Sequence, residues 1–240
     1  MNLIRESVSL HTVLGKLEFS HQELLANFIE ECGRECYKST HKIESGSSIR
    51  FIKSNAIQLG HESMLEHVTV TAKITTNRGV THQLVRHRLG AYSQESTRYC
   101  NYSADRFGNQ LTFIIPVWID DEVLGQLKRS FDDGFMKTSW DSLPNDEAGA
   151  SEWYWGMVNC ERRYLSALEA GWTPEQAREL LPNSTATTIV ATYNLRQWRH
   201  VLVQRMGKHC HPQMRSVAKM IYSEFFFCLP VFFEDLNLCY

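Results

Sequence analysis

The spacing of the hydrophobic residues changes near His67, and this change most constrains the fold. Before it, residues 23–37 and 48–59 place apolar side chains three and four positions apart, which predicts two amphipathic helices. Gly60 is placed to end the second helix, because glycine readily adopts the left-handed conformation common there. After His67, apolar residues alternate with Thr and Lys, which predicts a half-buried strand at 68–75. A chain with both periods is expected to form a mixed α and β structure.

The same two periods recur along the rest of the chain. The predicted helices span residues 80–87, 153–170, 174–181, 194–206 and 213–228, and the predicted strands span residues 111–115 and 185–192. No repeat, low-complexity tract or linker divides the sequence, so we expect one α+β domain over residues 1–240. Its expected architecture is a small, mostly antiparallel sheet flanked by several helices. We interpret the acidic stretch 120–152 as an exposed helix and a surface excursion.

Composition and charge narrow the class of protein. With 43% apolar residues the chain can bury a substantial core, which excludes intrinsic disorder. The formal net charge is −2, but residues 78–106 carry +3 and residues 194–219 carry +6, so the remaining residues carry −11. A uniformly basic surface is therefore excluded, whereas positive charge is concentrated in two segments that suit anionic ligands.

The cysteines and the N-terminus bear on the compartment. Seven cysteines without a CxxC pair are typical of reduced thiols, and Arg5 and Glu6 stand where a signal peptide needs apolar residues. The longest apolar run, residues 225–233, is too short to span a bilayer. We expect a cytoplasmic protein with no membrane partner.

Several common catalytic templates are missing, namely the GxxxxGK[ST] phosphate loop, the GxGxxG turn, the GxSxG elbow and the HExxH pair. The densest polar segment runs from Arg86 to Tyr99 and is too irregular for either hydrophobic period. It combines Arg, His, Tyr, Gln and Ser without Lys. Arginine forks match phosphate oxygens two at a time, so this segment favours binding of a phosphate and a planar heterocycle. A solvated basic face is the alternative, although such a face usually uses Lys and Glu.

Two histidine-containing motifs raise the question of a metal site. The motif GHESMLEH contributes His61, Ser63, Glu66 and His67, and the motif HCH contributes a second pair of histidines. No carboxylate or cysteine set completes either group into a recognisable zinc site. We therefore expect no metal.

A third cluster of polar residues lies on the predicted helix at 194–206. A helix turns about 100° per residue, so Arg196 and His200 project within about 40° of each other. Arg196 and Arg205 are nine positions apart and face opposite sides of a straight helix. Either this helix is distorted, or its arginines serve sites in two subunits of an oligomer.

These clusters together resemble the flavin-dependent thymidylate synthases. The likeness covers about residues 34–215 and rests on GHESMLEH at 60–67, RHRLGAYSQESTRY at 86–99, ARELLP at 177–182 and NLRQWRHVLVQR at 194–205. The resemblance implies reductive methylation of deoxyuridine monophosphate (dUMP) to thymidine monophosphate (dTMP). Methylenetetrahydrofolate would supply the carbon, and FAD reduced by NADPH would supply the hydride. The resemblance also implies a homotetramer with active sites shared between subunits.

The resemblance further implies the site residues. The flavin would be held by Ser63, Arg86, His87, Arg88, Gln94, Asn194, Arg196 and His200. The nucleotide would be held by Gln83, Arg86, Gln94, Glu95, Ser96, Thr97, Arg98, Arg178 and Arg205. Arg205 would polarise the pyrimidine, because a uracil that attacks through C5 builds negative charge that a held guanidinium stabilises. His61 would orient the folate or relay a proton, and a local structural hydrogen bond is its alternative role.

Two positions depart from the family pattern. Ala91 stands where the family has the serine of RHRxxS, and Gln94 aligns with the usual glutamate while Glu95 follows it. Either Gln94 or Glu95 therefore contacts the nucleotide. Ser96 aligns with the family's hydroxyl, and we expect it to bind rather than attack, since a serine without an adjacent base is a poor nucleophile.

A non-catalytic module that binds single-stranded nucleic acid is the main alternative function. Arginines and tyrosines also suit phosphates and bases, and such a module would lose affinity steeply with salt. A metal-dependent hydrolase is a third possibility, which metal analysis of the purified chain would test. We expect the enzyme, with no nucleic-acid partner.

Overall fold

The structure is a computed structural model that describes residues 1–132 and 145–236. Contacts between Cα atoms divide these residues into two compact units. The smaller unit contains residues 1–6, 76–79, 95–132 and 145–187, and the larger unit contains residues 7–75, 80–94 and 188–236. The single domain over residues 1–240 stays a prediction.

Within the described residues, the structure contains elements that the two periods predict together with strands that they do not predict. The strands are β1 (Asn2–Ile4), β2 (Ser7–Thr12), β3 (Gly15–Lys16), β4 (Thr69–Asn77), β5 (Ala91–Gln94), β6 (Thr112–Ile114) and β7 (Ala186–Asn194). The α-helices are α1 (His21–Glu35), α2 (Ser47–Phe51), α3 (Arg78–Leu84), α4 (Asp121–Asp132), α5 (Asn145–Glu169), α6 (Pro174–Ala177), α7 (Leu195–Met206), α8 (Pro212–Cys228) and α9 (Pro230–Phe233). The predicted strands at 68–75, 111–115 and 185–192 correspond to β4, β6 and β7.

The central sheet has five strands in the order β3-β2-β4-β7-β5. Strand β2 is antiparallel to β3 and β4, and β5 is antiparallel to β7. The hydroxyl of Thr71 lies 2.7 Å from that of Thr192, and Thr75 lies 3.2 Å from Thr188, so β4 and β7 also run in opposite directions. The predicted mostly antiparallel sheet is confirmed.

The helices of the larger unit cover this sheet with one continuous apolar core. Alternate residues of β4 and β7 are buried, as the two-residue period requires. The largest fully buried side chain, Trp198 of α7, donates its indole N–H to the carbonyl of Val70 at 2.8 Å. Helix α7 is therefore fixed against β4, and its other faces are free to present polar residues.

The predicted helix at 48–59 is only partly regular. It begins as α2 and continues as a π-helix at Ile52–Gln58. The side-chain amide of Asn55 donates to the carbonyl of Phe51 at 3.0 Å, four positions earlier, in place of the backbone N–H that an α-helix would use. Gly60 follows with φ 72°, as expected of a glycine at a helix end.

The polar segment after the third helix is more regular than its sequence predicts. Residues 91–94 form β5 at the edge of the central sheet, and the helix predicted at 80–87 is α3, which ends at Leu84. The hydrophobic period fails here because β5 has no fully buried residue and is defined by its hydrogen bonds to β7. Pairing with a distant strand is not visible in local periodicity.

The acidic stretch 120–152 is not simply a surface excursion. Leu124 of α4 is 4% exposed and belongs to a small core with Ile119, Ala150 and Tyr154 in the smaller unit. Helix α5 begins at Asn145, earlier than the predicted residue 153, so part of the stretch is core-forming helix. The remainder of this prediction, residues 133–144, lies outside the described residues.

Candidate functional site

One cleft in the larger unit brings together several of the predicted flavin-binding residues. It lies along α7 and has a volume of ≈ 860 Å³, within the usual range for ligand pockets. Asn194 ends β7 and caps α7, because its Oδ1 accepts a hydrogen bond from the backbone N–H of Gln197 at 2.7 Å. Arg196 and His200 follow on one face of α7, and Leu89 contributes from the RHRL segment.

Two carboxylates hold the half-exposed side chain of Arg196 in this cleft. Its Nη1 lies 2.5 Å from Glu66 Oε1, and its Nε lies 3.7 Å from Glu62 Oε2. Both glutamates belong to the 3-10 helix Glu62–His67 within the GHESMLEH motif. These contacts occupy only part of the five N–H groups of a guanidinium, so Arg196 keeps donors for an anionic ligand.

The neighbouring Arg199 also lines the cleft, but its side chain is buried and paired with carboxylates of the protein. It is 7% exposed and forms a forked ion pair with Asp235, with distances of 2.7 and 2.6 Å. Its Nε donates to Glu62 Oε1 at 3.1 Å. Burial lowers the pKa of Arg199, but the hydrogen bonds and charges of Asp235 and Glu62 outweigh burial, so the net shift is upward. Its charge is thus balanced within the protein.

Arg205, near the end of α7, contacts the RHR segment. Its Nε donates to His87 Nε2 at 2.8 Å, and its Nη2 donates to the backbone carbonyl of Gln83 at 3.1 Å. Burial, followed by the charges of Arg205 and His200, lowers the pKa of His87 to about 4. His87 is therefore neutral near pH 7, and its Nδ1 carries the proton. A neutral imidazole thus holds the guanidinium that the sequence predicts to polarise the pyrimidine.

Two tyrosines anchor the backbone of the RHR segment. The hydroxyl of Tyr92 lies within hydrogen-bonding distance of the carbonyls of Leu84 and His87 and of the Tyr193 hydroxyl. Burial raises the pKa of both tyrosines, so both hydroxyls stay protonated near pH 7. A Cβ built on Gly90 would lie 2.2 Å from Tyr193 Cε1, so only glycine lets the chain pass this ring.

The remaining predicted residues of the larger unit differ in exposure. Arg86 and Arg88 are exposed, and their side chains form no ion pair within residues 1–132 and 145–236. Ser63 is exposed on the 3-10 helix that carries Glu62 and Glu66. His61 is exposed, and its Nδ1 lies 3.4 Å from the Tyr37 hydroxyl, so it has the local hydrogen bond of its alternative role.

Gln94 and Glu95 have separate neighbours. The side-chain amide of Gln94 donates to the Thr81 hydroxyl at 3.0 Å in the larger unit. Glu95 Oε1 accepts a 2.6 Å hydrogen bond from the Tyr102 hydroxyl in the smaller unit. Both side chains already have a partner, and which of them contacts the nucleotide stays a prediction.

The other predicted nucleotide-binding residues lie in the smaller unit. Arg98 forms an ion pair with Glu175 at 2.6 Å, and both side chains are about half exposed. The hydroxyl of Thr97, which is buried, accepts a hydrogen bond from Arg78 at 3.4 Å. Two more predicted residues, Ser96 and Arg178, are partly exposed. Arg98 and Arg178 thus supply solvent-accessible guanidinium groups, as a phosphate site requires.

Three observations concern metals, membranes and thiols. Within the described part of the chain, no group of three or more His, Cys, Asp or Glu side chains is placed to hold a metal ion. In residues 1–132 and 145–236, no helix is both long and apolar enough to cross a bilayer. Cysteines 32, 36, 100, 160, 210 and 228 are free.

Comparison with known proteins decides the family. The family described as thymidylate synthase complementing protein matches residues 21–231. A flavin-dependent thymidylate synthase from Mycobacterium avium is 32% identical over 214 residues, covering 88% of this chain and 79% of the relative. The chain belongs to the flavin-dependent thymidylate synthase family. A namesake from Mycobacterium tuberculosis is 31% identical over 213 residues, with the same coverage.

Structural comparison agrees with this assignment. A crystal structure described as thymidylate synthase X (ThyX) from Helicobacter pylori with FAD and dUMP matches with a TM-score of 0.65. The match covers 88% of this chain and 93% of that chain, and the sequences are 19% identical. The fold is therefore shared. Membership confirms the predictions of an enzyme, a thymidylate synthase and a flavoprotein, and it does not support the nucleic-acid-binding module.

Sequence reasoning missed part of the cleft wall. Glu62 was not among the candidate residues, although it contacts both Arg196 and Arg199. Val203 and Leu236 also line the cleft without having been predicted. The spacing of Glu62 and Glu66, four positions apart in GHESMLEH, was the available signal. Leu236 has no such signal, because only the fold brings the end of the chain to α7.

Proposed function

We propose that this chain converts dUMP to dTMP, with methylenetetrahydrofolate as the carbon donor and FAD reduced by NADPH as the hydride source. The observation that carries the proposal is the cleft that joins Asn194, Arg196 and His200 to the RHRL segment, in a chain of this family. The Helicobacter pylori relative of the same fold, described as containing FAD and dUMP, supports the choice of ligands.

The cleft fits a flavin nucleotide in size and chemistry. Its ≈ 860 Å³ can accept a large ligand, and Arg196 presents a positioned guanidinium to a pyrophosphate. We propose that Arg86 and Arg88, exposed on either side of His87, add positive charge for the same group. Asn194, His200, Ser63 and Gln94 would supply further hydrogen bonds to the cofactor. When bound, the flavin supplies the hydride.

For the nucleotide we propose a second set of donors, which shares Arg86 and Gln94 with the flavin. Arg98, Arg178 and Ser96 would bind the phosphate, and the remaining contacts would come from Gln83, Arg86, Gln94, Glu95 and Thr97. Arg205 would lie against the pyrimidine and stabilise the negative charge that develops as C5 attacks the incoming carbon. Its orientation by neutral His87 supports this role, since a guanidinium that is already fixed loses little freedom on binding.

His61 is proposed to act on the folate side of the reaction. Its exposed imidazole could orient the carbon donor or carry a proton, and its only hydrogen bond among the described side chains is the 3.4 Å contact with Tyr37. Because that contact is long, His61 is available for a ligand.

Assembly and location complete the proposal. We propose a homotetramer with shared active sites, because Arg196 and Arg205 of one helix bind different neighbours rather than one common group. The six free cysteines within the described residues suit a reducing compartment, which supports a cytoplasmic location.

The experiment is purification with FAD followed by an assay of dTMP formation. We expect visible flavin absorbance at near one FAD per chain, and NADPH oxidation that depends on both dUMP and methylenetetrahydrofolate. A folded chain that takes up no FAD and forms no dTMP with every substrate supplied would overturn the proposal.

A further inference from the structure

Arg199 lines the cleft, but each of its three nitrogens already has a partner within the protein. Its Nη1 and Nη2 bind the two oxygens of Asp235, and Nη1 also binds the backbone carbonyl of Phe232. Its Nε binds Glu62. These contacts use four of its five N–H groups and the residue is 7% exposed, so we expect its main effect on the cleft to pass through its partners.

Glu62 connects this buried pair to the exposed arginine of the cleft. One oxygen of Glu62 accepts the bond from Arg199, and the other faces Arg196 Nε at 3.7 Å. Glu66 holds Arg196 Nη1 from the same 3-10 helix. A continuous row of alternating charges therefore runs from Asp235 through Arg199 and Glu62 to Arg196.

The exposure of the side chains along this row indicates which end is rigid and which end a ligand can reach. The side chain of Arg199 is 9% exposed, those of Asp235 and Glu62 are 30% and 31% exposed, and that of Arg196 is 50% exposed. The forked Arg199–Asp235 pair is the rigid end, because two parallel bonds fix both planar groups. Arg196 is the end that a ligand can reach.

We propose that Arg199 is a positioning residue that, held by Asp235, fixes Glu62 and through it the guanidinium of Arg196 for a phosphate-bearing ligand. The inference rests on the proposed function, in which that ligand is the flavin pyrophosphate. It assigns the short C-terminal turn Glu234–Leu236 a part in cofactor affinity, although Asp235 does not line the cleft. A purely structural ion pair would stabilise the fold without affecting Arg196.

A double-mutant cycle on FAD affinity separates these roles. The variants are Asp235→Asn, Arg196→Gln and the double variant, each titrated with FAD by fluorescence quenching alongside a thermal melt. Glu234→Gln is the matched control, because it removes an acid one position away whose ion pair with Lys53 is half exposed and outside the cleft. We expect Asp235→Asn to raise the Kd for FAD about fivefold, and Glu234→Gln to leave it unchanged.

The decisive result is whether the losses of FAD affinity in Asp235→Asn and Arg196→Gln add in the double variant. If Asp235 acts through Arg196, the double variant binds FAD no more weakly than Arg196→Gln alone. Additive losses, or an unchanged Kd in Asp235→Asn, would overturn the inference. Should Asp235→Asn fail to fold, Glu62→Gln replaces it in the cycle, because the amide oxygen can still accept from Arg199 while the charge facing Arg196 is lost.

The unaltered chain distinguishes the two levels of the proposal. If it binds no FAD, the proposed function fails and this inference fails with it. If it binds FAD and forms dTMP but the cycle is additive, the proposed function stands and only the positioning role of Arg199 is rejected.

Discussion

At the scale of single residues, the three arginines of α7 have three different tasks. Arg196 faces a cleft, Arg199 is neutralised inside the protein, and Arg205 is held by a neutral histidine. Their positions on one helix predict only the direction in which each side chain leaves the axis. What each side chain can do depends on the groups that meet it there.

Replacing Arg205 with Ala should reduce turnover about 100-fold while the fold survives, because the group proposed to stabilise the developing negative charge is lost. Steady-state rates of dTMP formation measure the effect, and circular dichroism verifies folding. Arg215→Ala is the control, since that partly exposed guanidinium of α8 bonds only the carbonyl of Lys208 among the described residues. Turnover near that of the control would remove Arg205 from the proposed mechanism.

The lowered pKa of His87 predicts a loss of stability in acid. The unfolded chain protonates this imidazole as pH falls through about 6.5, whereas the folded chain resists protonation until about 4. The stabilisation is therefore complete above pH 6.5 and is lost as pH falls from 6.5 towards 4. Melting temperatures measured across this range should decline less steeply in His87→Gln than in the unaltered chain.

A matched histidine makes that measurement specific. His82, on α3, is exposed, so His82→Gln should retain the pH dependence of the unaltered chain. Equal slopes in both variants would mean that His87 does not resist protonation in the folded protein.

At the scale of elements, the RHR segment is positioned by a close approach between a turn and a strand. Gly90 leads into β5 and passes the ring of Tyr193 on β7 at a distance that excludes a Cβ. The same ring belongs to the tyrosine pair that binds the backbone carbonyls of this segment. Packing of the strand therefore sets the location of His87 and, through it, of Arg205.

Gly90→Ala should destabilise the protein by about 1–3 kcal/mol, because the new methyl group collides with Tyr193 and with the carbonyl of Thr192. Gly156→Ala is the opposite case. A Cβ at Gly156, inside α5, meets nothing within 4 Å, so this variant should gain about 0.5–1 kcal/mol. Urea denaturation measures both changes, and a stable Gly90→Ala variant would contradict the packing described here.

Elements with a regular spacing of buried side chains could be predicted from the sequence. Elements that depend on hydrogen bonds to distant strands could not. The sequence predicts β4, β7, α1, α7 and α8 within a few residues, because each has a regular row of buried side chains. The edge strand β5 and the N-terminal β2 have weak periods and depend on hydrogen bonds to distant strands. The π-helix at Ile52–Gln58, which contains the Asn55 side-chain bond, is likewise not indicated by the spacing of apolar residues.

At the scale of the whole molecule, near-neutral net charge coexists with concentrated positive charge. The segment 194–219 carries +6, yet Arg199 within it is cancelled by Asp235 and Glu62. The charge that reaches solvent is therefore smaller than the sequence count, and it is located at specific residues such as Arg196. Anionic ligands are attracted to these positions rather than to the surface in general.

The proposed homotetramer with shared active sites predicts the mass of the assembly in solution. Light scattering should give about four times the 27.8 kDa of one chain, and activity should be lost where dilution produces monomers. An active monomer would contradict the shared sites and would leave one chain to bind both ligands alone.

The sequence by itself determined the family, the α+β class and three of the residues that line the cleft, Asn194, Arg196 and His200, because these depend on motifs and on local periods. Only the tertiary structure decided which arginine is exposed and which is neutralised. Glu62 and Asp235 are 173 positions apart, and both bind Arg199. The free energy of a charge depends on the groups that surround it, and those groups are brought together by packing rather than by sequence order.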